Sequence, residues 1–160
     1  MSQHTGILVI AVVLGILAMG GPVRAQDYSL APSSGAANLV SGFDSDPYVV
    51  AMQAGGAINA SDLGPSCAGF ITDAPSFRLG YAAGGGLPLI LSVAASADTM
   101  LVVNAPDGHW YCDNDGGEAG GNPMLRFNAP QSGQYDIWVG GYASGDALPA
   151  ELNISEQHSQ

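Results

Sequence analysis

Turns recur too often in this chain for a long helix to fit between them. The stretch 98–142 (DTMLVVNAPDGHWYCDNDGGEAGGNPMLRFNAPQSGQYDIWVGGY) shows the pattern most clearly. An apolar strand at 100–103 runs into a Pro-Asp-Gly turn, a short aromatic strand at 109–112 and an acidic glycine loop, DNDGGEAGG. A further strand at 124–127, an Ala-Pro-Gln-Ser-Gly turn and a last strand complete it, with Tyr135, Ile137 and Val139 alternating with Asp136 and Trp138. Period-two strands joined by turn residues predict an antiparallel all-β domain.

The rest of the chain repeats the rhythm. Strand signals fall at 39–40, 48–52, 77–81, 87–93 and 150–155, and alternation at 77–81 puts Phe77, Leu79 and Tyr81 on one face. The segments 58–63 and 69–71 are short and interrupted and read as edge strands or loop. With 23 glycines and ten prolines, the weakest helix formers, helix has almost no support. About eight strands at roughly eight-to-twelve-residue spacing predict a jelly-roll-like β-sandwich or a barrel. The predicted domain spans 38–156, between a flexible polar segment at 26–37 and a polar tail at 157–160.

Ahead of the domain lies an apolar run at 6–20 (GILVIAVVLGILAMG), followed by a Gly-Pro break and Val23-Arg24-Ala25. The run is shorter than the roughly 20 residues a membrane span needs, and small residues follow where a signal peptidase would cut. It reads as a signal peptide over 1–25, cleaved after Ala25, and predicts a secreted or periplasmic bacterial protein; the alternative is an uncleaved anchor. In that oxidising setting Cys67 and Cys112, the two cysteines of the chain, are most simply one disulfide. Their spacing fits no zinc pattern. Cleavage leaves two arginines against fourteen acidic side chains, a net charge of −12. A field of that sign repels phosphate backbones and anionic lipid, which argues against nucleic-acid partners and leaves cations as natural small ones.

Chemistry concentrates in the acidic loop. Asp113, Asp115 and Glu118 fall within six residues among four glycines, and Asp98 and Asp107 could complete an oxygen shell if the hairpin folds back. Hard cations such as calcium need several oxygens at once, so these five are the candidate calcium ligands. The loop is not an EF-hand, since Gly117 and Glu118 stand where that pattern wants an acid or Asn and then Gly. Asp and Gly also favour plain solvated turns, which is the alternative. Trp110 and Trp138 are candidate ligand-binding residues: facing outward they could stack on sugar rings, while facing a core they would fill it. Catalysis finds no constellation, because His109 is the one histidine between the leader and the tail and no serine has a nucleophile context.

The blocks Asp98-Thr99-Met100-Leu101-Val102-Val103, Pro106-Asp107-Gly108, Asp113-Asn114-Asp115-Gly116-Gly117, Asn122-Pro123 and Ser132-Gly133-Gln134-Tyr135-Asp136-Ile137-Trp138-Val139-Gly140 resemble the bacterial pre-peptidase C-terminal domain. That resemblance covers about 45 residues well and implies a jelly-roll-like sandwich. It also implies an accessory module beside secreted proteases, or, as in collagenase relatives, a calcium-assisted substrate-binding module. Asp98, Asp113 and Asp115 match its acidic positions. Two departures are plain: no protease domain lies within these 160 residues, and the cysteine pair is outside the general pattern. The expected function is a secreted non-catalytic module recognising a protein or polysaccharide. The alternative is a structural subunit that self-associates in an extracellular surface or filament.

Overall fold

A computed structural model describes residues 26–118 and 121–160; the leader and its cleavage point lie outside the described residues. Eleven strands form: β1 (Ala36–Val40), β2 (Tyr48–Ala54), β3 (Ile58–Asn59), β4 (Phe70–Ile71), β5 (Phe77–Ala82), β6 (Leu89–Ala95), β7 (Thr99–Asn104), β8 (Trp110–Asp113), β9 (Met124–Phe127), β10 (Gly133–Gly141) and β11 (Leu148–Ser155). A single 3-10 turn, Ala60–Leu63, follows β3 and is the one helical element among the described residues. The strands make two sheets packed face to face. One runs β1-β5-β10-β7-β8, and the other β2-β11-β6-β9.

β10 is the hub of the first sheet. Its first half pairs with β5, from Gly133↔Tyr81 to Ile137↔Phe77, and its second half pairs on the other side with β7, from Asp136↔Asn104 to Gly141↔Thr99. Beyond the end of β5, β4 takes over beside Gly141 and carries β3 with it. Every pairing is antiparallel except β1 with β5, which is parallel. That exception follows from the route of the chain, because β1 leads into a connection that crosses to β2 in the opposite sheet.

Alternation sorts side chains between two cores. Leu79, Tyr81, Leu101, Val103, Tyr135, Ile137 and Val139 of the first sheet meet Met52, Leu89, Leu91, Val93, Leu152 and Ile154 of the second. A second core lies on the opposite face of the first sheet, where Met100, Val102 and Trp138 are covered by Ala60, Cys67 and Ile71. These covering residues belong to a flap, residues 58–72, laid over that face. Gly140 permits the close approach, since a Cβ there would sit 2.8 Å from both Ile71 Cγ2 and the Phe70 carbonyl oxygen. The Cys67–Cys112 disulfide, closing a separation of 45 residues, ties the flap to edge strand β8.

The polar segment at 26–37 is not a free lead-in. The Asp27 and Ser34 amides donate to the carbonyls of Asp73 (3.1 Å) and Ser76 (2.7 Å). Arg78 donates to the Tyr28 and Leu30 carbonyls and pairs with buried Asp136 at 2.6 Å. Backbone amides fix this arm, and a polar composition carries no sign of them. The tail is also docked: Gln157 and His158 amides donate to Ser155 Oγ at 3.0 Å, and the Gln160 amide to Ser92 Oγ at 3.1 Å.

Candidate functional site

The acidic loop leaves β8 and returns to β9, and one carboxylate closes it. Asp113 Oδ2 accepts the Gly116 amide at 2.7 Å and the Met124 amide at 2.9 Å, so both ends of the loop hang on the same side chain. Within it the Gly117 amide donates to the Asn122 carbonyl at 2.8 Å, and the Glu118 amide reaches Ser159 Oγ in the tail. Asp107 closes the β7–β8 hairpin in a similar way, taking the His109 amide at 2.9 Å and the Tyr111 hydroxyl at 2.7 Å. The His109 amide and then the Tyr111 hydroxyl hold the Asp107 carboxyl below its ordinary range, and the same bond raises Tyr111. Gly108, at φ +78°, makes that turn possible.

The five predicted calcium ligands are therefore dispersed. Asp107 belongs to one hairpin tip, Asp113 to the loop closure, and Asp115 and Glu118 to exposed positions along the loop. Asp98 stands exposed just before β7, lining a small surface concavity with Ser96, Gly121 and Asn122. Among the described residues no three of His, Cys, Asp and Glu gather as a metal site needs. As placed, the donors do not form a calcium shell.

Trp138 corrects the expectation of an outward, ligand-stacking aromatic. Alternation does turn it away from Ile137 and Val139, but the flap seals that face, and Trp138 is fully buried with its indole Nε1 donating to the Asp73 carbonyl at 3.4 Å. Trp110 lies half-buried beside it, ring centroids 5.2 Å apart, at the rim of the second core. His109 is exposed and meets Asp107 Oδ2 at 3.4 Å through Nδ1.

A different surface emerges on the outer face of the second sheet. Register sets Glu151 of β11 directly between Ala51 of β2 and Ala94 of β6, and Pro149 opposite Gln53. Two methyl-sized neighbours beside a long side chain leave a concavity of about 860 Å³, open to solvent. Ala51, Ala94 and Pro149 give it an apolar floor, Gln53, Ser96 and Glu151 polar rims, and Asn122 of the acidic loop one end. Asn122 is held there by accepting the Ala95 amide at 3.2 Å.

The other half of the same face is closed, for there the docked tail runs over Ser92 and Ser155, and Ile90, Asn153 and these two serines are buried. The sequence reading missed the groove because its residues are unremarkable in type. Only register across three strands brings 51, 94 and 151 into one row. No helix among the described residues is long and apolar enough to cross a membrane. No known family model matches the chain, and no curated protein matches it either.

Proposed function

We propose that this protein is a secreted, non-catalytic binding module, of the kind the pre-peptidase C-terminal domains exemplify, whose outer second-sheet groove receives an extended polypeptide segment. The observation that carries the reading is the open row Ala51–Glu151–Ala94 with its amide and hydroxyl rims. Small apolar floors accept alternate side chains of an extended strand, and Gln53, Ser96 and Asn122 offer donors and acceptors to its backbone. β2, which pairs only with β11, leaves its other edge for added main-chain hydrogen bonds beside that groove. Glu151 and the acidic field favour a neutral or basic segment.

A peptide is favoured over a polysaccharide because the groove lining holds no aromatic platform and Trp138 is withdrawn into a core. Calcium has no part in this reading, since the carboxylates are dispersed. The disulfide fits an oxidising compartment. The assembly alternative has one observation in its favour: β1 is an edge strand without a basic residue, and its Val40 is 66% exposed.

Native affinity electrophoresis tests the reading, using gels that contain gelatin, a neutral extended polypeptide, or soluble neutral xylan. Gelatin should retard the wild type, and Ala94→Trp, which fills the groove, should abolish the retardation. Retardation by xylan alone, or by gelatin equally in Ala94→Trp, would reject the proposal.

A further inference from the structure

We infer that Gln26, once exposed by leader removal, closes on itself to form pyroglutamate, a modification site at the mature N-terminus. The inference rests on the secreted reading in one respect: it requires cleavage between Ala25 and Gln26. The sequence Val23-Arg24-Ala25-Gln26 then makes glutamine the first residue. Its freed α-amine stands in five-membered-ring relation to its own side-chain carbonyl carbon. The α-nitrogen attacks Cδ, an N–Cδ amide bond forms, and the Cδ–Nε2 bond breaks. A proton passes from the α-nitrogen to Nε2, which leaves as ammonia. Atoms and electrons balance with no oxidant, reductant or second reactant.

The fold gives this residue a setting that favours the ring. Gln26 is only 5% exposed, and its Nε2 is buried with no hydrogen-bond partner. The next residue is fixed, with the Asp27 amide donating to the Asp73 carbonyl at 3.1 Å, so the terminus is held against the fold. An open glutamine would bury an unsatisfied amide donor beside a charged α-ammonium, and burial penalises both. Cyclisation discards the orphaned Nε2 and neutralises the terminal charge in one step. The product keeps one N–H and one carbonyl in a compact ring, and blocks removal of residues by aminopeptidases.

The test is intact-mass and N-terminal peptide mass spectrometry on the full chain, expressed with its leader in an exporting bacterium and analysed fresh from the periplasm or medium. The expected result is a chain beginning at residue 26 and lighter than encoded by the mass of one ammonia, resistant to aminopeptidase until pyroglutamyl peptidase is added. Gln26→Asn, whose side chain is too short to close the five-membered ring, should begin at the same residue without that loss. A chain beginning at 26 with its glutamine amide intact overturns the inference and leaves the secreted reading standing. A chain beginning at Met1 overturns both.

Discussion

Asp113 shows how one side chain can decide the shape of a loop that looks built for something else. Its Oδ2 holds the Gly116 and Met124 amides together, so the carboxylate serves the backbone first. Asp113→Ala strands two donors and should destabilise the domain by about 2 kcal/mol, equally in calcium and in excess chelator. Asp115→Ala, at an exposed position, should change stability by less than about 0.5 kcal/mol in either buffer. Paired thermal melts check this, and a loss confined to calcium buffer would restore an ion to the loop.

Tyr81 gives a second residue-scale expectation. Burial first, and then its 2.5 Å bond to Glu156, push its phenol from 10 up to about 12. A raised value means the fold favours the neutral form, so the associated stability is complete below pH 10 and is lost as pH rises through about 12. Denaturant titrations between pH 9 and 12 should show a steeper decline in the wild type than in Tyr81→Phe. Parallel declines would contradict the assignment.

Among the elements, the flap at 58–72 turns a one-core sandwich into a two-core one. Cutting the Cys67–Cys112 link by a double Cys→Ala change should cost about 4 kcal/mol on the chain-entropy model. The flap should then loosen, and emission from the newly wetted Trp138 should shift to longer wavelength. An unshifted spectrum with unchanged stability would mean that packing alone holds the flap. The main strands were legible in the sequence because period-two alternation survives any context, and β5, β7, β9 and β10 fall where alternation and turns predicted them.

The flap was not legible. β3 and β4 have two residues each, too few to show a period, and what covers an outward face is a tertiary fact. Trp138 illustrates the gap: alternation assigns its face and cannot assign its exposure. The parallel sense of β1 was equally hidden, since it depends on which sheet receives the next strand. The disulfide was legible because an exported chain with two cysteines offers a single intramolecular pairing.

At the scale of the whole molecule, the two outer faces differ in kind. The first sheet is covered by the flap, while the second is covered at one end by the tail and left open at the other. The open end carries Glu151 and lies next to the acidic loop through Asn122, so the uncovered surface shares the negative sign of the molecule. That asymmetry is what makes the second-sheet groove the proposed binding face. Nuclear magnetic resonance mapping of backbone amides during a titration with a short gelatin-derived peptide addresses it most directly. The proposal predicts shifts centred on Ala51, Gln53, Ala94, Ser96, Asn122 and Glu151, with the disulfide face silent. Shifts confined to β1 or to the Trp110 rim, with the Ala51–Glu151–Ala94 row unmoved, would contradict it.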